Sequence, residues 1–211
     1  MKKFFALVMV VLVSACAWSP EQIDVPYTSR LAPAAVDGAQ AVTVSVTASD
    51  ARTSHFDRVS VKKNGYGMEA AAITSKNDII ETTRSAVQQE LAARGFKTGP
   101  NGLDVHVDVL TFYSDFKLGL FSGDAVADFV VNLKVSAPDG RVIYSSIYQV
   151  QGAQHDILMM SGPNAQAALV DAMGLGVAKI IQDDKLTAAL LKVGAPSTAK
   201  LPNGTPVTAG S

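Results

Sequence analysis

The stretch LDVHVDVLTFY, residues 103–113, alternates strictly: Val105, Val107 and Val109 fall on one side, Asp104, His106 and Asp108 on the other. Successive side chains of a strand point to opposite faces, so this is a strand with one buried and one wet face. The same alternation returns from Ala125 to Ala137, where Phe129, Val131, Leu133 and Val135 oppose Asp128, Asn132, Lys134 and Ser136. Pro138-Asp139-Gly140 supplies a tight turn into Arg141 to Gly152, which predicts a long antiparallel hairpin.

Upstream, Asn77 or Asp78 offers an N-cap for a helix to Arg94. Ile80, Val87 and Leu91 share its apolar face, while Glu81, Arg84, Gln88 and Glu90 fall largely on the other. Gly95 stands where a C′ glycine ends a helix, and Gly99-Pro100-Asn101-Gly102 is a turn cluster. Ala41 to Thr47 alternates as a first strand. Arg58 to Lys62 and Ala70 to Ser75 read as two short ones around the turn Lys63-Asn64-Gly65-Tyr66-Gly67.

Downstream, Leu169, Met173, Val177 and Ile180 keep helical register between about Asn164 and Lys192, with a break expected at Asp183-Asp184. Gly174 and Gly176 each cost about 1 kcal/mol in a helix interior, which predicts close packing against the sheet. The order of elements gives an α+β fold: a two-layer sandwich, a mainly antiparallel sheet with two principal helices packed on one face.

The ends differ in composition. Lys2 and Lys3 precede ten apolar residues, Phe4 to Val13. That run is short of the roughly 20 residues a bilayer span needs and suits the core of a signal peptide. It ends in Val13-Ser14-Ala15-Cys16, which resembles the bacterial lipobox, and Cys16 is the only cysteine of the chain. Cleavage would leave residues 1–15 as signal peptide and Cys16 as the acylated N-terminus. Lipoproteins of this type carry a diacylglycerol and an N-acyl chain such as palmitate, and two or more chains suffice for stable anchoring. Ala17, in place of the aspartate that retains lipoproteins in the inner membrane, points to the periplasmic face of the outer membrane.

Residues 16–40 carry Pro20, Pro26 and Pro33 and are expected to form a flexible spacer that holds one domain, residues 41–192, away from the membrane. Residues 193–211 are expected to be disordered. Of 18 Lys and Arg, the signal takes two, which leaves 16 against 19 Asp and Glu, a net charge near −3. That balance excludes nucleic acid as an electrostatic partner.

Asp50-Ala51-Arg52-Thr53, the helix end Ala93-Arg94-Gly95-Phe96 and Gly99-Pro100-Asn101-Gly102 follow the lipobox in order, and together they resemble the YajG family of bacterial lipoproteins. The resemblance implies an envelope location and brings no enzymatic activity with it.

Chemistry finds little foothold. Asp104, His106 and Asp108 share one strand face and could ligate zinc or manganese, or form a cross-strand pairing surface. His55 and His155 fall on expected loops, apart from His106. No G-x-S-x-G elbow is present, and Gly174-Leu175-Gly176 lies within a helical pattern, where it cannot cradle a phosphate. No cofactor is expected. Asp50 and Arg52 follow a strand directly and form a turn-fixing ion pair or part of a contact surface for an envelope partner. Phe112, Tyr113, Phe116, Leu118, Leu120 and Phe121 concentrate apolar area near Asp115, Lys117 and Asp124, as core or as a protein or lipid interface. The expected role is a lipid-anchored, non-enzymatic accessory module facing a protein or cell-wall partner. The alternatives are a small-ligand or lipid-binding module with its pocket between helices and sheet, and a metal-dependent hydrolase built on the Asp104, His106, Asp108 face.

Overall fold

The computed structural model describes residues 19–194, apart from Pro33, Leu120 and Phe121. Cys16 and the tail beyond Gly194 lie outside the described residues.

Three long strands form the frame: β6 (Leu103–Leu118), β7 (Gly123–Ser136) and β8 (Val142–Ile157), each antiparallel to the next. The free edge of β6 is shared. Its first half pairs in parallel with β2 (Thr43–Asp50), and further along Ser114 pairs with Ser60 of β3 (Ser60–Lys63). The chain therefore runs along β6 twice, and the loop between, residues 51–59, bulges out where β6 has its own irregularity between Val109 and Thr111. β4 (Glu69–Ser75) is antiparallel to β3, β1 (Glu21–Ile23) is parallel to β4, and β5 (Lys97–Thr98) pairs in parallel with β2. The eight strands make one sheet in which most paired residues are antiparallel, as expected, although the β1–β4, β2–β5, β2–β6 and β3–β6 pairs are parallel.

Helices α1 (Ile79–Ala93) and α2 (Gly162–Ile181) cover one face, and α3 (Asp184–Gly194) follows α2 after a break at Asp183. Asp78, not Asn77, caps α1: its side chain accepts from the N–H groups of Ile80 and Glu81. Gly95, at φ 96, ends the helix. Beneath them Val105, Val107, Val109, Phe129, Val131, Leu133 and Val135 are all buried, so the valine alternation does set the covered face. Burial of each such side chain is worth roughly 1.5–3 kcal/mol, which makes this layer the main source of stability.

α2 lies close to the sheet, but through a different set of glycines from the pair expected. A Cβ on Gly176 would stand 2.3 Å from Phe129 Cδ1, whereas one on Gly174 would meet only the side chain of Arg30. The closest approach is at Gly152 of β8, where a Cβ would fall 2.2 Å from the Ala172 backbone nitrogen.

The spacer expected over residues 16–40 needs correction, because from Ser19 onward the described chain is strapped to the body. Glu21 accepts the Gly162 N–H at the start of α2 and pairs with the buried Lys62. Val25 is fully buried, its backbone N–H and C=O both bonded by the Asn77 side chain. The Tyr27 hydroxyl donates to Glu90, Arg30 pairs with Asp171, and the Val36 N–H donates to the Arg94 carbonyl. Glu90, assigned above to the wet face of α1, is 4% exposed for this reason. Prolines favour extended chain, and extended chain can dock as readily as it can dangle.

Candidate functional site

Asp50 ends β2 and Arg52 begins the 51–59 loop, and the two side chains meet. Arg52 Nε donates to Asp50 Oδ1 at 2.8 Å and Nη2 to Oδ2 at 2.7 Å. The other side of the guanidinium donates to the carbonyls of His55 and Phe56, at 3.2 and 3.1 Å. A planar fork with five donors can hold a carboxylate and two carbonyls at once, which a lysine cannot. The Arg52 side chain is 8% exposed and Asp50 37%, and the guanidinium holds the Asp50 carboxyl below its usual range.

So braced, the loop lays His55, at φ 54, on the ring of Tyr113, with centroids 4.0 Å apart. Burial pushes the Tyr113 phenol up to about 12. Phe56 is turned outward, 70% exposed. Beside it lies an open cleft of about 210 Å³, lined by Asp50, Arg52, Phe56, Arg58, Asn77 and Ile80 among others. The pairing of Asp50 with Arg52 was legible from the sequence; the exposed Phe56 beside it was missed, since nothing local distinguishes a proffered phenylalanine from a core one.

The face of Asp104, His106 and Asp108 is a closed hydrogen-bond network across β2, β6 and β7. Thr47 Oγ1 donates to Asp104 Oδ1 at 3.0 Å and contacts His106 Nδ1 at 2.8 Å. Asp108 accepts from Ser49 at 2.7 Å, from Asn132 at 3.2 Å and from Lys134 at 3.1 Å, and meets His106 Nε2 at 2.9 Å. The Ser49 bond first, then Lys134 and His106, bring the Asp108 carboxyl down to about 2. This is a cross-strand pairing surface. Among the described residues, no group of three His, Cys, Asp or Glu side chains is placed to hold a metal ion. His155 lies within β8, not on a loop, and meets Asp124 at 3.0 Å; neither it nor His55 approaches His106.

The apolar concentration near β6 is divided. Phe112 and Phe116 are core, Tyr113 is half-buried under His55, Leu118 is 58% exposed, and Leu120 and Phe121 lie outside the described residues. Where α2 meets the sheet, Gly152 packs on the Ala172 backbone and Gly176 on the Phe129 ring. No helix among the described residues is long and apolar enough to cross a membrane.

The sequence pattern of a family described as uncharacterized lipoprotein matches residues 29–191. The chain is 24% identical over 189 residues to the uncharacterized lipoprotein YajG of Escherichia coli K12, covering 88% of this chain and 94% of that one. Among solved structures, a protein from Xanthomonas campestris superposes with a TM-score of 0.52 at 16% identity, covering 81% of this chain and 95% of that one; this likeness shows the fold alone. A minor lipoprotein from Acinetobacter baumannii gives a TM-score of 0.43 at 10% identity, covering 69% of this chain and 92% of the other. With the family pattern covering most of the described body, this chain belongs to the family of uncharacterized lipoproteins to which its YajG resemblance pointed.

Proposed function

We propose that this lipoprotein is acylated on Cys16, anchored to the periplasmic face of the outer membrane, and acts there without catalysis, as an accessory that holds a protein partner of the envelope. The observation that carries the reading is Phe56: an exposed aromatic ring on a loop whose backbone is fixed by a buried arginine. Aromatic side chains anchor protein interfaces, and a loop that is already rigid gives up little entropy on binding. The Asp104, His106 and Asp108 side chains are engaged with Thr47, Ser49, Asn132 and Lys134 across three strands.

A photo-crosslinking residue in place of Phe56, in cells, tests the partner. One reproducible adduct is expected, absent when the same residue replaces Ser85 on the outer face of α1 and reduced by Arg52→Ala. No adduct at Phe56, or the same adducts at both positions, overturns the reading. For the anchor, Cys16→Ser is expected to abolish lipid labelling, and Ala17→Asp to move the protein from outer-membrane to inner-membrane fractions.

A further inference from the structure

Eight large apolar side chains of the described residues are exposed, and five of them gather at one end of the molecule. β6 runs down to Leu118, which pairs with Gly123, which pairs in turn with Ile157. The end of β6, the start of β7 and the end of β8 therefore share one level. β3 ends there too, since the Lys63 N–H donates to Met160 Sδ at 3.4 Å and the Lys63 ammonium to Asp115 at 2.5 Å. Three separate segments thus present Tyr66 (91% exposed) and Met68, then Leu118, then Leu158 (86%) and Met159, side by side. The other three exposed residues lie elsewhere, Phe56 on the 51–59 loop and Val142 and Ile147 on β8.

The N-terminus leaves from the same end. β1 runs parallel to β4 with Glu21 opposite Ile73, and the Ser19 carbonyl accepts from Lys62, which is itself opposite Ala71. Going back from Glu21, the chain heads toward Glu69 and the turn that carries Tyr66 and Met68. Only three residue steps separate Ser19 from Cys16, at most about 10 Å of extended chain. The strap removes the spacer, so an acylated Cys16 brings this end, and no other, against the bilayer. The turn at Pro138-Asp139-Gly140 lies at the far end of β7, about 46 Å away for its 14 residues at ~3.3 Å each.

We propose that this apolar end docks on the lipid bilayer itself, with Tyr66, Met68, Leu118, Leu158 and Met159 buried among head groups and upper acyl chains beside the lipid anchor. The proposal rests on the Cys16 acylation above. Scattered apolar residues on a surface need no explanation, but a cluster at the tether does. The charges at this end are mixed, with Lys117 exposed, Lys63 paired to Asp115 and His155 to Asp124, so apolar contact carries the docking and salt should change it little. A tyrosine at the rim suits an interface, where its ring is apolar and its hydroxyl stays wet.

The test uses the mature lipidated protein, whose one native cysteine is blocked by acylation. Tyr66→Cys, Leu158→Cys and, as the far reference, Asp139→Cys each take one environment-sensitive fluorophore. All three are reconstituted on vesicles of phosphatidylethanolamine and phosphatidylglycerol doped with a spin-labelled phospholipid, and flotation is scored on the same samples. The exposed positions leave the core untouched, which equal melting temperatures confirm. The labels at 66 and 158 are expected to be quenched severalfold more than the label at 139, with little change on adding salt. Flotation with equal quenching at all three positions overturns the docking and leaves the anchor standing. Failure to float overturns the anchor and the docking with it. Labels shielded on native envelopes but not on pure lipid vesicles would assign this end to a protein and overturn the lipid assignment.

Discussion

The Tyr27 hydroxyl donates to Glu90 Oε1 at 2.8 Å, joining the N-terminal strap to the last turn of α1, 63 residues along the chain. Burial and this bond both push the Tyr27 phenol above its ordinary range, so it remains a donor at neutral pH. Glu90 is itself 4% exposed.

Tyr27→Phe should therefore cost about 1 to 3 kcal/mol, the penalty for a buried acceptor left without its donor. Chemical denaturation would show the loss in the midpoint, and limited proteolysis should open sites between residues 24 and 37 first. A variant as stable and as resistant as the parent would mean that the strap is held without this bond.

The glycines of the helix–sheet contact should separate by what their missing Cβ would meet. Gly152→Ala drives a methyl into the α2 backbone and Gly176→Ala drives one into the Phe129 ring, so each should destabilise by about 1 to 3 kcal/mol. Gly174→Ala meets only the flexible Arg30 side chain and gains helix propensity, so it should stay within about 1 kcal/mol of the parent. Thermal unfolding of the three variants checks the order.

Asp108 sets an acid limit. Its carboxyl, ordinarily near 3.8, is held at about 2 in the fold, first by Ser49 and then by Lys134 and His106. A carboxylate depressed in the folded state stabilises it above the unfolded value and loses that contribution as pH falls through the folded one. The stability gap between parent and Asp108→Asn should therefore be constant above about pH 4 and shrink between about pH 4 and 2. A gap independent of pH across that window would contradict the network.

Arg52→Lys keeps the charge and loses the fork. It should weaken the loop by about 1 to 3 kcal/mol, because the carbonyls of His55 and Phe56 lose a charged donor. Amide exchange should speed up over residues 51–59 and leave β7 unchanged. Exchange rates equal to the parent's would show that the loop is fixed by the His55–Tyr113 stack instead.

The periodic elements were legible because their causes are local. Val105, Val107 and Val109 alternate, Asp78 stands one residue before α1, and Gly95 takes a positive φ that few other residues tolerate; each follows from backbone geometry within a few residues. The pairing of Asp50 with Arg52 is equally short in range. Even the strap had a signal, since Ile23, Val25 and Tyr27 alternate, but three prolines around them pointed the other way.

What the sequence by itself determined is thus which of the main segments are strands and helices and which face of each is apolar. Tertiary structure alone decided that β2 and β3 share one edge of β6, that Glu90 is covered, and that Glu21, Val25, Tyr27, Arg30 and Val36 are tied to the body. It also decided that Tyr66, Leu118 and Leu158, from three separate segments, meet at the end from which the N-terminus leaves. The physical reason is that burial depends on what a distant segment brings. A local pattern shows that a side chain is apolar or charged, and only the folded chain shows whether protein, water or membrane will surround it.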